Sequence, residues 1–93
     1  MIKLNPILHQ ELRLSLMSFL MTVSKADFKK LLEVTGASKG NISVQLSKLE
    51  DAGFIKINKS FKGKYPHTDY KVTAKGKKEF NIYLIQLKEM LNI

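Results

Sequence analysis

Two short helical patterns lie almost end to end in the middle of this chain, and their spacing constrains the fold more than any other feature. In the first, Phe28, Leu31 and Leu32 fall on one side while Lys25, Lys29, Lys30 and Glu33 fall on the other. In the second, Ile42, Leu46 and Leu49 form the apolar stripe. Only the few residues around Gly36 separate them. Gly36 suits the left-handed stop after the first, and Ser38 suits the N-cap of the second. Ser24, with Asp27 three residues on, is expected to open the first of these helices as a weak capping box. Gly53 is expected to end the second, with Phe54 as the hydrophobic residue that often follows such a stop. Two helices joined this tightly form a helix-turn-helix, here spanning 24–53.

The period changes after Gly53. Ile55 and Ile57 alternate with Lys56 and Asn58, and Tyr70 and Val72 alternate with Asp69 and Lys71, which predicts two strands. Phe61 to His67, containing Gly63 and Pro66, is expected to be the loop between them. Residues 54–73 thus read as a hairpin with a basic tip. Helices flank this unit on both sides. Asn5-Pro6 is expected to start a helix over 5–23, and Thr73 to cap one over 74–93. Each carries two apolar stripes. The first has Leu8, Leu12, Leu16, Phe19 and Val23 opposite Ile7, Leu14, Met17 and Met21. The last has Phe80, Leu84, Leu87 and Leu91 opposite Ile82, Ile85 and Ile93. A helix apolar on both sides has two partners. Ile7, Leu14, Met17, Met21, Ile82 and Ile85 are accordingly expected at a homodimer interface.

Helix, helix, helix, hairpin, helix is the order of a winged helix. The predicted class is α+β, mostly α: a single domain over 1–93 with three helices, a two-stranded wing and a long C-terminal helix, dimerising through its N- and C-terminal helices. A chain of 93 residues with 44% hydrophobic content builds one modest core, and pairing with a second copy is a common remedy for its small stability. Sixteen Lys and Arg against eight Asp and Glu leave a formal charge of +8, which favours polyanions, either nucleic acid or an anionic membrane surface. The excess is densest in the hairpin. From Ala52 to Thr68 there are four lysines, Lys56, Lys59, Lys62 and Lys64, and no acid. Such lysines can also simply guard a strand edge. Placed beside a helix-turn-helix, they point to phosphate binding.

Much of the chemistry open to other proteins is excluded. With no cysteine there is no disulfide, thiolate metal site or thiol nucleophile. His9 and His67 are far apart in sequence, so no metal and no cofactor is expected. Glu50 and Asp51 are neighbours on a helix and point about 100° apart, so they make no catalytic pair. The first apolar stretch, Ile7 to Val23, is interrupted by His9, Gln10, Glu11 and Arg13, which argues against a membrane span or a secretory signal. The expectation is a non-enzyme of the cytoplasm, nucleoid-associated if prokaryotic, without a membrane partner.

The residues also resemble a known group. The segments Asp27-Phe28-Lys29-Lys30-Leu31, Gly40 through Ile55, Pro66-His67-Thr68-Asp69-Tyr70 and Val72-Thr73-Ala74-Lys75-Gly76 are similar to the short winged-helix DNA-binding domains related to the MarR and ArsR regulators. The first helix around Leu12-Arg13-Leu14 resembles that group's opening helix. The resemblance implies a dimeric transcription regulator.

A recognition helix over 38–52 would enter the major groove, where base edges are distinguishable. Its outward face centres on Gly40, Val44 and Ser47, flanked by Asn41, Ser43 and Lys48. Asn41 can pair bidentately with adenine or satisfy local backbone. Val44 suits a thymine methyl, though single exposed valines are ordinary. Gly40 allows close backbone approach or serves a short turn. Ser38, Lys39 and Ser43 suit phosphates at the helix N-terminus, and Lys48 suits the backbone farther along. Gln45 matches a position that often contacts DNA in relatives, although the helical wheel puts it nearer the core. In the wing, Lys62 and Lys64 are the first phosphate candidates, with Lys59 and His67 behind them. The predicted function is a sequence-specific double-stranded DNA-binding transcriptional regulator, most simply a repressor. The alternative is a winged-helix protein-interaction module. No residue identifies a small-molecule effector.

Overall fold

The computed structural model describes residues 2–93. In chain order the elements are α1 (Glu11–Leu20), β1 (Ala26–Asp27), α2 (Phe28–Thr35), α3 (Lys39–Asp51), β2 (Ile55–Lys62), β3 (Tyr65–Val72) and α4 (Ala74–Leu91). The three strands form one antiparallel sheet in the order β1-β3-β2. This is the expected mostly helical α+β winged helix, with one strand more than the two foreseen. β1 is too short for alternation to reveal: it contributes only Ala26 opposite Tyr70 and Asp27 opposite Asp69.

Local chemistry sets the helix ends. Ser38 accepts a hydrogen bond from the Asn41 amide and caps α3. At the other end the Phe54 amide reaches Leu49 O at 3.0 Å and the Gly53 amide reaches Glu50 O at 2.8 Å. These are the two bonds of a Schellman stop, and Gly53 supplies its left-handed residue at φ 81°. Gly36 does the same for α2 at φ 66°. Two expected starts move. Asp27, not Ser24, caps α2, accepting from the Lys30 amide, because Ala26 and Asp27 itself pair with β3 as a short strand. Asn5 does not cap α1. Its Oδ1 accepts from the Ile7 and Leu8 amides and closes a separate turn, and an extended Gln10 then caps the helix that begins at Glu11.

The core gathers Leu8 from the N-terminal turn, Leu16, Met17 and Leu20 from α1, Leu31 from α2, and Ile42, Leu46 and Leu49 from α3. Phe54, Ile55, Tyr70 and Val72 close it from the sheet side, with Phe80 and Tyr83 from α4. The buried stripe of α4 runs Gly76, Phe80, Tyr83, so Leu84 and Leu91, expected on one stripe with Phe80, are exposed. Beyond Leu87 every residue of α4 is exposed, so its last turns extend past the body of the protomer.

Candidate nucleic-acid interface

The fold presents one face of α3 and leaves it bare. While Ile42, Leu46 and Leu49 are buried, Lys39, Gly40, Asn41, Ser43, Val44, Ser47 and Lys48 are exposed, with Ser38 just ahead of them. Val44 is 51% exposed. A Cβ at Gly40 would meet nothing within 4 Å, so no packing inside the protomer requires glycine there. Ten of the residues expected to touch DNA, from Ser38 to Lys64, therefore stand on accessible surface.

Two do not stand as expected. Gln45 is buried, and its amide is engaged on both sides: Arg13 Nη1 donates to its Oε1 at 2.5 Å, and its Nε2 donates to Asn41 Oδ1 at 3.2 Å. It faces α1, as the helical wheel hinted, and is not placed to touch DNA directly. His67 is half-buried, with its Nε2 2.8 Å from Asp69 Oδ1. It is held against the body, not offered at the tip. That hydrogen bond, aided by the His67 and Lys25 charges, holds the Asp69 carboxyl below its ordinary value against an opposing effect of burial.

The hairpin is longer than its alternation suggested. Strands β2 and β3 run on to Lys62 paired with Tyr65, so most of the expected loop is ladder. The turn is only Gly63 and Lys64. Positive φ at Gly63 alone gives the II′ pattern that matches strand twist. Pro66 is tolerated because β1 reaches only Asp69 and Tyr70, which leaves β3 with a single neighbour at Pro66. The result is a narrow arm with exposed Lys59, Lys62 and Lys64 and two exposed aromatics, Phe61 and Tyr65.

Of the six residues expected at a dimer interface, Ile82 and Ile85 are exposed at 38% and 58%. Ile7, Leu14 and Met21 are partly buried against their own core. Met17 is corrected: at 0% exposure it is enclosed by its own protomer, because α1 packs on both α2 and α3. Sequence reading also missed Arg13, whose side chain is buried where the helix passes beneath α3. The one signal was a cation between two apolar residues, Leu12 and Leu14, in the first helix. Among the described residues no three His, Asp or Glu come together to hold a metal ion, and no helix is long and apolar enough to cross a membrane.

Comparison with known proteins agrees with this geometry. An uncharacterized protein of Methanocaldococcus jannaschii is 29% identical over 85 residues, covering 90% of this chain and 91% of its own. The structure of a transcriptional regulator homologue protein from Pyrococcus horikoshii OT3 superposes with a TM-score of 0.86 at 30% identity, over 92% of this chain and 85% of that one. A MarR-family regulator structure from Enterococcus faecalis V583 has the same fold, with a TM-score of 0.77 at 18% identity over 92% and 79% of the two chains. The family model for the winged helix DNA-binding domain matches residues 12–91. The chain belongs to that family, the winged helix DNA-binding domains.

Proposed function

We propose that this chain is a sequence-specific double-stranded DNA-binding transcriptional regulator that acts as a homodimer, most simply as a repressor that occupies its site. The observation that carries this is the outward face of α3. Seven residues, from Lys39 to Lys48, are exposed and are small, polar or basic apart from Val44. A protein-binding helix would offer an apolar or acidic surface there. In this reading α3 lies in the major groove, with Asn41 and Val44 toward base edges and Gly40 close to the backbone. Ser38, Lys39 and Ser43 meet phosphates at the helix N-terminus, and Lys48 meets them farther along. The wing lays Lys59, Lys62 and Lys64 on the neighbouring phosphates.

Ile82 and Ile85, exposed along the middle of α4, form the homodimer contact together with α1. A two-fold pair then reads half-sites separated by one helical turn, ~34 Å, or a multiple of it. The protein works in the compartment that holds the DNA, as a binder and not an enzyme. The test is fluorescence anisotropy with random duplex DNA at two salt concentrations. Micromolar binding that collapses as salt rises supports the reading. No binding at low salt would replace it with a protein-interaction module.

A further inference from the structure

Arg13 is buried to nine-tenths and has no carboxylate within ion-pair distance among the described residues. Three oxygens hold it instead. Its Nε donates to Ile7 O at 2.6 Å, Nη2 to Pro6 O at 3.5 Å and Nη1 to Gln45 Oε1 at 2.5 Å. A guanidinium has donors only. The Gln45 amide is therefore fixed with its oxygen toward Arg13, and its Nε2 must point the other way. There it meets Asn41 one turn back on α3, at 3.2 Å. Facing a donor, Asn41 must in turn present its oxygen to Gln45. Its Nδ2 has no partner within the protein among the described residues, and the residue is exposed. One buried cation thus sets the polarity of two amides in series, ending on the face proposed to meet DNA.

We infer that Arg13 and Gln45 are positioning residues that make Asn41 a hydrogen-bond donor toward the bases, so that it selects a base whose major-groove edge offers acceptors and no donor, guanine or thymine. This rests on the DNA-binding reading and sharpens it. Bidentate pairing with adenine needs the Asn41 oxygen to accept from adenine N6, and Gln45 already draws that oxygen inward. Cytosine offers N4–H at the same height in the groove and would meet donor with donor. Guanine N7 and O6 and thymine O4 meet the Asn41 amide hydrogens directly.

The test is selection of tight-binding duplexes from a random pool by the full-length protein and three variants. Asn41→Ala locates the base pair concerned, because preference disappears there. The parent should enrich guanine or thymine at that position. Gln45→Glu keeps the bond from Arg13 but removes the donor toward Asn41. The introduced carboxylate can only accept, so the Asn41 amide turns over and shows its oxygen to the DNA. Preference should then move to cytosine or adenine by about tenfold, with affinity for random DNA changed far less. Gln45→Met removes the constraint without adding charge and should flatten the preference at that one position. Identical preferences in the parent and in Gln45→Glu would overturn the inference, as would adenine or cytosine preference in the parent. A readout without DNA separates this from failure of the DNA-binding reading. In the free protein the Gln45 side-chain amide protons should exchange slowly in an NMR experiment. Slow exchange with no sequence enriched by the parent would overturn the base-reading role but leave the amide series standing. Fast exchange, like that of a solvent amide, would overturn the amide series itself.

Discussion

Gly76, in the first turn of α4, lies directly against the carbonyl of Phe54. A Cβ built at Gly76 would overlap Phe54 O and stand 2.9 Å from the carbonyl carbon, inside any permitted separation. The surrounding bonds explain why neither side can move. The Phe54 carbonyl also accepts the Thr73 amide at 3.0 Å, and Thr73 Oγ1 donates to Gly53 O at 2.6 Å. Thr73 Oγ1 meanwhile accepts the Gly76 amide as the cap of α4. The Schellman stop of α3 and the start of α4 are therefore one joint, and that joint sets the direction in which α4 leaves the body.

Gly76→Ala is expected to destabilise the protein despite alanine's better helix propensity. The propensity gain is at most about 1 kcal/mol. The clash is with backbone, which cannot rotate away, and overpacking of this kind costs typically about 1–3 kcal/mol and sometimes more. So close an overlap with backbone puts the cost at the top of that range or above it, so the net expectation is a loss of about 2 kcal/mol, or roughly 10 °C in Tm for a domain of this size. Gly40→Ala is the contrasting case. With open space around it, the variant should be as stable as the parent or a few tenths of a kcal/mol more so. It should still bind DNA more weakly, because the methyl stands between the helix backbone and the groove. Thermal unfolding and anisotropy on both variants check this. A stable Gly76→Ala or an unimpaired Gly40→Ala would refute the corresponding argument.

Asp69 gives the wing base a dependence on pH. Its carboxyl is held below 3.8, its ordinary value, chiefly by the His67 hydrogen bond, with the His67 and Lys25 charges assisting. A depressed folded value means the unfolded chain takes up the proton first. The contribution is complete above 3.8 and is lost as pH falls from there through the lowered folded value. Asp69→Asn should therefore be less stable than the parent at neutral pH, and the gap should close as acid is added. Urea midpoints for both proteins from about pH 7 down to about pH 2 are the measurement. A gap that stays constant across that range would show that the ionised carboxylate contributes nothing.

The wing lysines predict a change in salt response and not in sequence preference. Lys62 is the last residue of β2 and Lys64 sits in the turn, both exposed and without an acidic neighbour in the ion pairs of the described residues. Removing one lysine that neutralises a phosphate lowers the slope of log K against log salt by about 0.9. Lys62→Ala with Lys64→Ala should weaken binding to all duplexes about equally and reduce the slope by roughly one to two. A changed base preference at an unchanged slope would place these residues on bases.

Much of the architecture was legible because it rests on local chemistry. Gly36, Ser38, Gly53 and Thr73 announce the helix ends they make, since capping and left-handed stops need only neighbours in sequence. β1 was not legible: two residues show no alternation, and their pairing with Tyr70 and Asp69 is set by the fold. At the proposed interface the exposed face of α3 followed from its apolar stripe. The wheel already turned Gln45 toward the core, but its bond from Arg13, 32 residues away in sequence, was not legible. His67 looked free for the same reason, because its tie to Asp69 exists only once β3 is extended. Met17 shows the limit of reading stripes: it lies on the side expected to meet a second copy, yet its own protomer encloses it between α2 and α3.

That correction shifts the weight of the dimer prediction to α4. Ile82, Leu84, Ile85, Leu91 and Ile93 are exposed by 38% to 85%, and the helix continues beyond its last residue packed on the core. An extension of this kind has little stability alone, since isolated helical segments under about 12–15 residues are marginal in water. Burying its apolar side against a second copy would supply what the protomer lacks. The protein should therefore run at twice its 10.6 kDa chain mass in light scattering at micromolar concentration. Ile85→Glu places a carboxylate in the middle of that interface, where burial without a partner is costly, and should yield a monomer with an intact fold by circular dichroism. Because both half-sites are gripped together only by a dimer, the same variant should bind a two-half-site duplex about a hundredfold or more weakly. Its affinity for a single half-site should change little. A monomeric parent would remove the dimer from the proposal, and a dimeric Ile85→Glu would move the interface elsewhere on α4 or onto α1.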